Sequence, residues 1–148
     1  MFCWAPMVAL LGVVTLQPNA HHETTMNGVQ LEAQSCVTGF GAYATALSSE
    51  LYTGGIQYGH PIYVGESVTV IGQVHVGASY PSRWVPELPN QVQFDTGVRL
   101  LARWGQAVLE LAWQHDSHAG LGRTVQQGRR IYGNTGLDLI KAGIGWEF

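Results

Sequence analysis

A histidine, a serine and an aspartate near the end of the sequence have the residue types that a catalytic triad needs. His115 and Ser117 are separated by a single residue, and Asp138 follows after a loop. A serine hydroxyl is a weak nucleophile until an adjacent base takes its proton, and the base needs a carboxylate that orients it. If the three side chains converge, the chemistry that they support is acyl transfer through a serine nucleophile.

Alternating segments on either side of the loop are predicted to position these side chains. Residues 106–117 and 136–148 alternate with a period of two, which is typical of β-strands. Residues two apart in a strand share a face. His115 and Ser117 therefore extend the apolar face of the first strand at its loop end, and Asp138 extends that of the second.

The pairing register decides whether the three groups meet. If the strands pair antiparallel with Ala107 opposite Trp146, His115 lies directly opposite Asp138, with the Cβ atoms about 4.5–5.5 Å apart. The register is an assumption, whereas the shared faces follow from the sequence. A His-x-Ser motif at a strand end is also common by chance, so that spacing alone does not establish catalysis.

The composition favours a β-barrel in a membrane. Charged residues are 11% of the chain, against roughly 25% in an average soluble protein. Gly contributes 19 of the 148 residues, near twice its usual share of about 7%. Low charge, high Gly and period-two segments are typical of membrane β-barrels, and a soluble lipocalin-like barrel is the alternative. No basic patch indicates a nucleic-acid partner.

Strand counting predicts an all-β, eight-stranded antiparallel up-and-down transmembrane barrel. Seven strands are predicted from residue 29 onward, and bacterial single-chain barrels have even numbers of strands. An eighth strand comes either from the N-terminal run or from a division of Leu51–Tyr63, where Pro61 predicts an edge, a bulge or a bend. A barrel this small has an interior filled by side chains, which argues against a pore. Besides the two terminal segments, the predicted strands are Val29–Cys36, Phe40–Ser48, Leu51–Tyr63, Ser67–Tyr80 and Gln91–Trp104.

The N-terminal apolar run, Met7–Leu16, has two interpretations. With the QPNA that follows, it resembles a secretory signal peptide, residues 1–20, cleaved after Ala20 to leave a barrel domain of residues 21–148. No Lys or Arg precedes the run, which weakens that interpretation. The alternative is a first barrel strand, residues 8–17.

The C-terminus resembles the assembly signal of Gram-negative outer-membrane barrels. The chain ends Gly-Trp-Glu-Phe, with Phe148 as the last residue of an amphipathic segment. The resemblance implies localisation in the outer membrane of a Gram-negative bacterium. It also implies recognition of Phe148 by the barrel assembly machinery.

About forty residues at the end of the chain resemble the lipid A 3-O-deacylase family, the PagL-type acyloxyacyl hydrolases. The likeness rests on His115-Asp116-Ser117-His118-Ala119-Gly120, on Asn134-Thr135-Gly136-Leu137-Asp138, and on the final Gly-Trp-Glu-Phe. Members carry His-x-Ser-Asn near the end of the penultimate strand of an eight-stranded outer-membrane barrel, with the triad on the lipid-facing wall. An ionisable trio on such a wall is costly and indicates a function.

The resemblance assigns a role to each matching residue. Ser117 is the expected nucleophile, His115 the general base and Asp138 the acidic member, and the ester cleaved is the 3-O-linked acyl chain of lipid A. His118 stands where the family has an oxyanion-stabilising Asn, which is a departure. Residues expected to contact the substrate or the oxyanion are His118, Gly120, Asn134, Arg123, Arg129 and Arg130.

The expected partners are lipid A or lipopolysaccharide and the surrounding lipids, and the three loop arginines suit phosphate groups. No cofactor is required, and no complete metal-ligand set is visible. A homodimer is compatible with the sequence. The alternative function is a non-catalytic small outer-membrane barrel that acts in adhesion or envelope structure.

Overall fold

The computed structural model describes residues 7–17, 26–34, 38–48, 51–81, 92–117, 125–126, 129–130 and 136–148. Its main element is a closed antiparallel barrel of eight strands. Two further strands, β8 and β9, form a small separate ladder. The strands are β1 (Met7–Leu16), β2 (Asn27–Gln34), β3 (Gly39–Leu47), β4 (Leu51–Val64), β5 (Val68–Pro81), β6 (Gln93–Trp104), β7 (Ala107–Ser117), β8 (Val125–Gln126), β9 (Arg129–Arg130) and β10 (Leu137–Glu147).

The barrel has the predicted up-and-down order. Around the wall the strands follow β1-β10-β7-β6-β5-β4-β3-β2, so that each barrel strand pairs with its neighbours in chain order and β1 closes the ring against β10. The predicted all-β, eight-stranded antiparallel class is therefore confirmed. Within the described residues, no helix is long and apolar enough to cross a membrane.

The N-terminal apolar run supplies the eighth strand. Residues of Met7–Leu16 pair with β2 on one side and with β10 on the other. This is the second of the two interpretations of the run.

Strand β4 is continuous, and Pro61 marks an irregularity within it. The register against β5 shifts between Pro61 and Tyr63, as expected where a proline removes a ladder donor. The predicted bend is thus a bulge inside one strand, and it does not divide Leu51–Val64 into two strands.

Alternation along each strand gives the barrel an apolar outer wall and a polar interior. In β7, Val108 to Asp116 point inward at every second residue and are buried, while the residues between them point outward. Apolar side chains around the ring are exposed on the outer wall, for example Val29, Val74 and Ile144 at 53%, 54% and 67%. An apolar exterior is what the hydrocarbon of a bilayer requires.

The interior holds many polar and charged side chains beside a cluster of buried apolar ones that includes Leu11, Leu101 and Leu139. Arg99 contacts Glu32, donates to Oε1 of Gln57 at 2.8 Å, and lies 4.5 Å above the centre of the Tyr43 ring. Lys141 donates to Oε1 of Gln30 at 3.0 Å. Burying charge is tolerable where it is paired and hydrogen-bonded. A lumen filled by these contacts agrees with the interior predicted for a small barrel.

Glycines make room for the largest of these interior side chains. Gly55 pairs with Gly77 across β4 and β5, and a Cβ on either would lie 2.9 or 2.6 Å from the hydroxyl oxygen of Tyr43. Tyr43 in turn contacts Asp95. The high Gly content therefore has a packing cause.

Gly77→Ala should destabilise the barrel by about 1–3 kcal/mol, the usual cost of overpacking. The added Cβ would contact the Tyr43 hydroxyl and the backbone of the facing strand at under 3 Å. Gly12→Ala is the matched control, because a Cβ there meets nothing nearer than 3.9 Å. The measurement is the free energy of unfolding from urea titration in lipid vesicles. Equal stability of the two variants would show that Tyr43 does not need the space at Gly77.

The connections give the barrel an orientation. Those at one end are residues 35–38, 65–67 and 105–106, whereas those at the other end include residues 17–26, 82–92 and 118–136. Short turns face the periplasm in bacterial barrels, and longer loops face the exterior. The end of β7 that carries His115 therefore belongs to the outer leaflet.

Exposed aromatic side chains mark both membrane interfaces. Trp104 and Trp146 both lie opposite Ala107 at the end with short turns. At the other end Tyr52 pairs with Tyr80, and both are exposed. Two aromatic belts are characteristic of membrane-spanning barrels.

Candidate functional site

The register between β7 and β10 is the one assumed from the sequence. Trp146 lies opposite Ala107, and Asp138 lies opposite His115. His115 and Asp138 each lie between two buried residues, and Ser117 follows the buried Asp116. All three therefore lie on the outer wall, near the end that faces the exterior.

His115 and Asp138 form a hydrogen-bonded pair. Nδ1 of His115 is 2.8 Å from Oδ1 of Asp138, and the two side chains are 26% and 29% exposed. The ring of Trp113 stacks on the imidazole, with 6.0 Å between the centroids and 21° between the planes. The carboxylate and the indole together limit the orientations that the imidazole can adopt.

The second ring nitrogen of His115 faces the end of the strand pair where Ser117 lies. A Cβ on Gly136 would be 2.8 Å from Nε2, so this edge of the ring lies against Gly136. Leu137 pairs with Asp116 at the end of the β7–β10 ladder, and Gly136 and Ser117 are the residues that come next to that pair in the sequence. In a catalytic triad Nδ1 faces the carboxylate and Nε2 faces the nucleophile. Here Nδ1 faces Asp138, and Nε2 lies against Gly136.

Ser117 lies at the level of the outer aromatic belt. It pairs with Phe94 of β6, whose side chain is 48% exposed. Tyr52 of β4 and Tyr80 of β5 lie two residues further toward the exterior than the row that contains Phe94 and Ser117. This depth is the interface between hydrocarbon and headgroups, where the ester bonds of a lipid are found.

The structure describes the three predicted catalytic residues but few of the predicted substrate-binding ones. His118, Gly120, Arg123 and Asn134 lie outside the described residues. Arg129 and Arg130 form strand β9, which pairs with β8. These residues were predicted to lie in a loop, because a two-residue ladder is too short to give a periodic pattern in the sequence.

Two residues at the site received no role from the sequence. Trp113 stacks on His115, and its position two residues before His115 in a strand places both side chains on the same face. Gly136 adopts a positive φ of 59° and leaves room for the imidazole. Among the described residues, no group of three or more His, Cys, Asp or Glu side chains is arranged to hold a metal ion.

The fold and the wall define the class of protein: the chain is an eight-stranded transmembrane β-barrel of the outer-membrane type. Its lipid-facing wall carries a His–Asp pair with a serine on the same face. The predicted outer-membrane localisation agrees with this class.

Comparisons with known proteins support the fold. No family model matches the sequence, and no curated protein matches it. The chain is similar to a barrel from work on the de novo design of transmembrane β-barrels, with a TM-score of 0.58 and 14% identity over 100% of both chains. It also resembles Ail, the attachment invasion locus protein of Yersinia pestis, at a TM-score of 0.43 and 9% identity over 97% of each chain. The same protein with the heparin analogue sucrose octasulfate gives a TM-score of 0.38, again with 9% identity over 97% of each chain. At sequence identities of 14% and 9%, these similarities support the fold alone. They give no support for membership of the deacylase family.

Proposed function

We propose that the barrel is a lipid-facing serine esterase that removes the 3-O-linked acyl chain of lipid A. The observation that carries the proposal is the contact of 2.8 Å between Nδ1 of His115 and Oδ1 of Asp138 on the outer wall. Nε2 of the same ring faces the strand end that holds Ser117. An ionisable pair facing lipid is unfavourable, so a role in chemistry explains why it lies there.

The proposed reaction is acyl transfer to water. The hydroxyl oxygen of Ser117 attacks the ester carbonyl carbon while Nε2 of His115 takes the hydroxyl proton. The ester C–O bond then breaks, and the sugar oxygen leaves with that proton. A water molecule, deprotonated by Nε2 of His115, then attacks the acyl carbon. The bond between that carbon and the Ser117 oxygen breaks, the fatty acid leaves, and the imidazolium returns the proton to the Ser117 oxygen. Asp138 stabilises the imidazolium in both steps.

The position of the site supports a substrate that stays in the bilayer. Ser117 lies at interface depth, near the end of the barrel that faces the exterior. This end lies in the outer leaflet, and the outer leaflet contains the lipopolysaccharide of Gram-negative bacteria. A site on the outer wall reaches an ester in that leaflet without extraction of the lipid. The resemblance of residues 115–120 and 134–138 to lipid A 3-O-deacylases supports the choice of the 3-linked chain.

The profile of lipid A tests this function. Cells that produce the barrel should contain lipid A lighter by one 3-O-linked acyl chain than lipid A from cells without it, as measured by mass spectrometry. An identical profile from cells with folded barrel in the outer membrane would contradict the proposal.

Gly136→Ala should lower the rate of deacylation by about 10²-fold, which is what a displacement of about 1 Å at a catalytic group costs. The new Cβ would lie 2.7 Å from Cε1 and 2.8 Å from Nε2 of His115, so the ring has to move. The measurement is kcat on purified lipid A in detergent micelles.

Gly105→Ala is the matched control for this prediction. Gly105 has the same φ of 59°, but a Cβ there meets nothing within 4 Å. Both variants therefore carry the backbone cost of an L-residue at positive φ, about 1–2 kcal/mol. Gly136→Ala alone places a Cβ against His115, and that Cβ also lies 2.5 Å from the carbonyl oxygen of Asp116, so the unfolding free energy of both variants is measured beside kcat. A similar loss of activity in both would show that the effect comes from stability and not from the ring position.

The alternative is a non-catalytic barrel in adhesion or envelope structure. The observation that favours it is that the apolar wall and the polar interior account for the fold without the three outer-wall groups. On this alternative, replacing His115 would change neither lipid A nor any ester. The lipid A profile described above separates the two candidates.

A further inference from the structure

An apolar groove of about 620 Å³ crosses the outer wall beside the His–Asp pair. Its floor follows one row of directly opposed residues on five neighbouring strands. The members of this row, from β4 to β10, are Tyr58, Val74, Val98, Trp113 and Ile140.

A second row completes the groove on the side away from Ser117. Leu111 and Leu100 oppose each other there, and Gly72 opposes Leu100. His60 opposes Gly72 at the far end. Ile62 occupies the space beside Gly72, since a Cβ on Gly72 would be 2.8 Å from Cδ1 of Ile62.

The groove is continuous with the candidate catalytic site. Trp113 lines the groove and stacks on the imidazole of His115. Ile140 lines it too and is two residues from Asp138 on the same face of β10. The Trp113–Ile140 row of the groove is therefore adjacent, on the outer wall, to the row of His115 and Asp138.

We infer that the groove holds the hydrocarbon tail of the acyl chain whose ester is cleaved, and that Val98 and Val74 set the chain length accepted. This inference rests on the proposed function. An ester carbonyl at Ser117 has its acyl tail directed along the wall, because the headgroup side is occupied by the rest of the lipid. Gln73 and Arg99 also line the groove, but both are buried, and their polar groups bond to Gln34, Glu32 and Gln57 in the interior. The outward-facing side chains of the lining are apolar except His60, so the occupant is a hydrocarbon chain and not a sugar or phosphate.

The test compares a long-chain with a short-chain ester in detergent micelles, using p-nitrophenyl palmitate and p-nitrophenyl butyrate. Val98→Trp fills the middle of the groove and should lower the ratio of the long-chain rate to the short-chain rate by about tenfold or more, the discrimination usual for hydrophobic pockets. Val74→Trp fills the groove further from Ser117 and should reduce the ratio less. If Val98→Trp fails to fold, Val74→Trp still tests whether filling the groove lowers this ratio.

Val29→Trp is the matched control, because Val29 is also exposed on the outer wall, at 53%, but lies on β2 and does not line the groove. An unchanged ratio in folded Val98→Trp and Val74→Trp, or an equal fall in Val29→Trp, would overturn the inference. Absence of hydrolysis of either ester by the wild-type barrel would instead refute the proposed function. The two failures are thus distinguishable.

Discussion

Ser117→Ala should reduce deacylation of lipid A by about 10⁴-fold or more, because loss of the nucleophile removes the acyl-enzyme route entirely. The barrel should remain intact, since Ser117 is the last residue of β7 and lies on the outer wall. The measurement is the rate of fatty-acid release from purified lipid A by folded protein in micelles.

Ser67→Ala is the control for the loss of a hydroxyl. Ser67 is exposed in the turn between β4 and β5, at the opposite end of the barrel, and its replacement should leave the rate unchanged. Fatty-acid release by Ser117→Ala at more than a small fraction of the wild-type rate would exclude Ser117 as the nucleophile.

Asp138→Asn should lower kcat by about 10³–10⁴-fold with the fold preserved. The amide has the shape of the carboxylate, but its NH₂ group would favour the tautomer in which Nδ1 of His115 lacks a proton. The Nε2 atom would then carry the proton and could not act as the base toward Ser117. The measurement is kcat alongside the unfolding free energy of the same sample.

Asp116→Asn makes the same chemical change on the other face of the wall. Asp116 is fully buried in the interior, where Ser79 and Gln114 donate to it. Its replacement should alter the unfolding free energy more than kcat of the folded fraction. If both variants changed stability alone, the His115–Asp138 pair would be a structural ion pair.

The meeting of His115 with Asp138 was predictable because strand faces alternate with a period of two. A slip of one residue between β7 and β10 would turn an apolar face into the lumen and a polar face into lipid. The hydrophobic pattern therefore restricts the register, and Ala107 opposite Trp146 satisfies it. Pro61 was similarly informative, because a missing donor in a ladder has few structural outcomes.

Other features could not be read from local patterns. An apolar run of ten residues satisfies both a signal peptide and a barrel strand, so the role of Met7–Leu16 depends on whether β2 and β10 need a partner. The groove depends on the registers of five strands that are far apart in the sequence. The orientation of the His115 ring depends on Gly136 lacking a side chain. The sequence shows a glycine at this position, but it does not show that the imidazole lies against it.

Labelling with a fluorophosphonate probe tests the central claim most directly, because the probe reacts with serines that a neighbouring base activates. The wild-type barrel in micelles should gain one adduct, located at Ser117 by peptide mass spectrometry, and His115→Ala should remain unlabelled. A folded wild-type barrel that gains no adduct, or an adduct that forms equally in His115→Ala, would contradict the account.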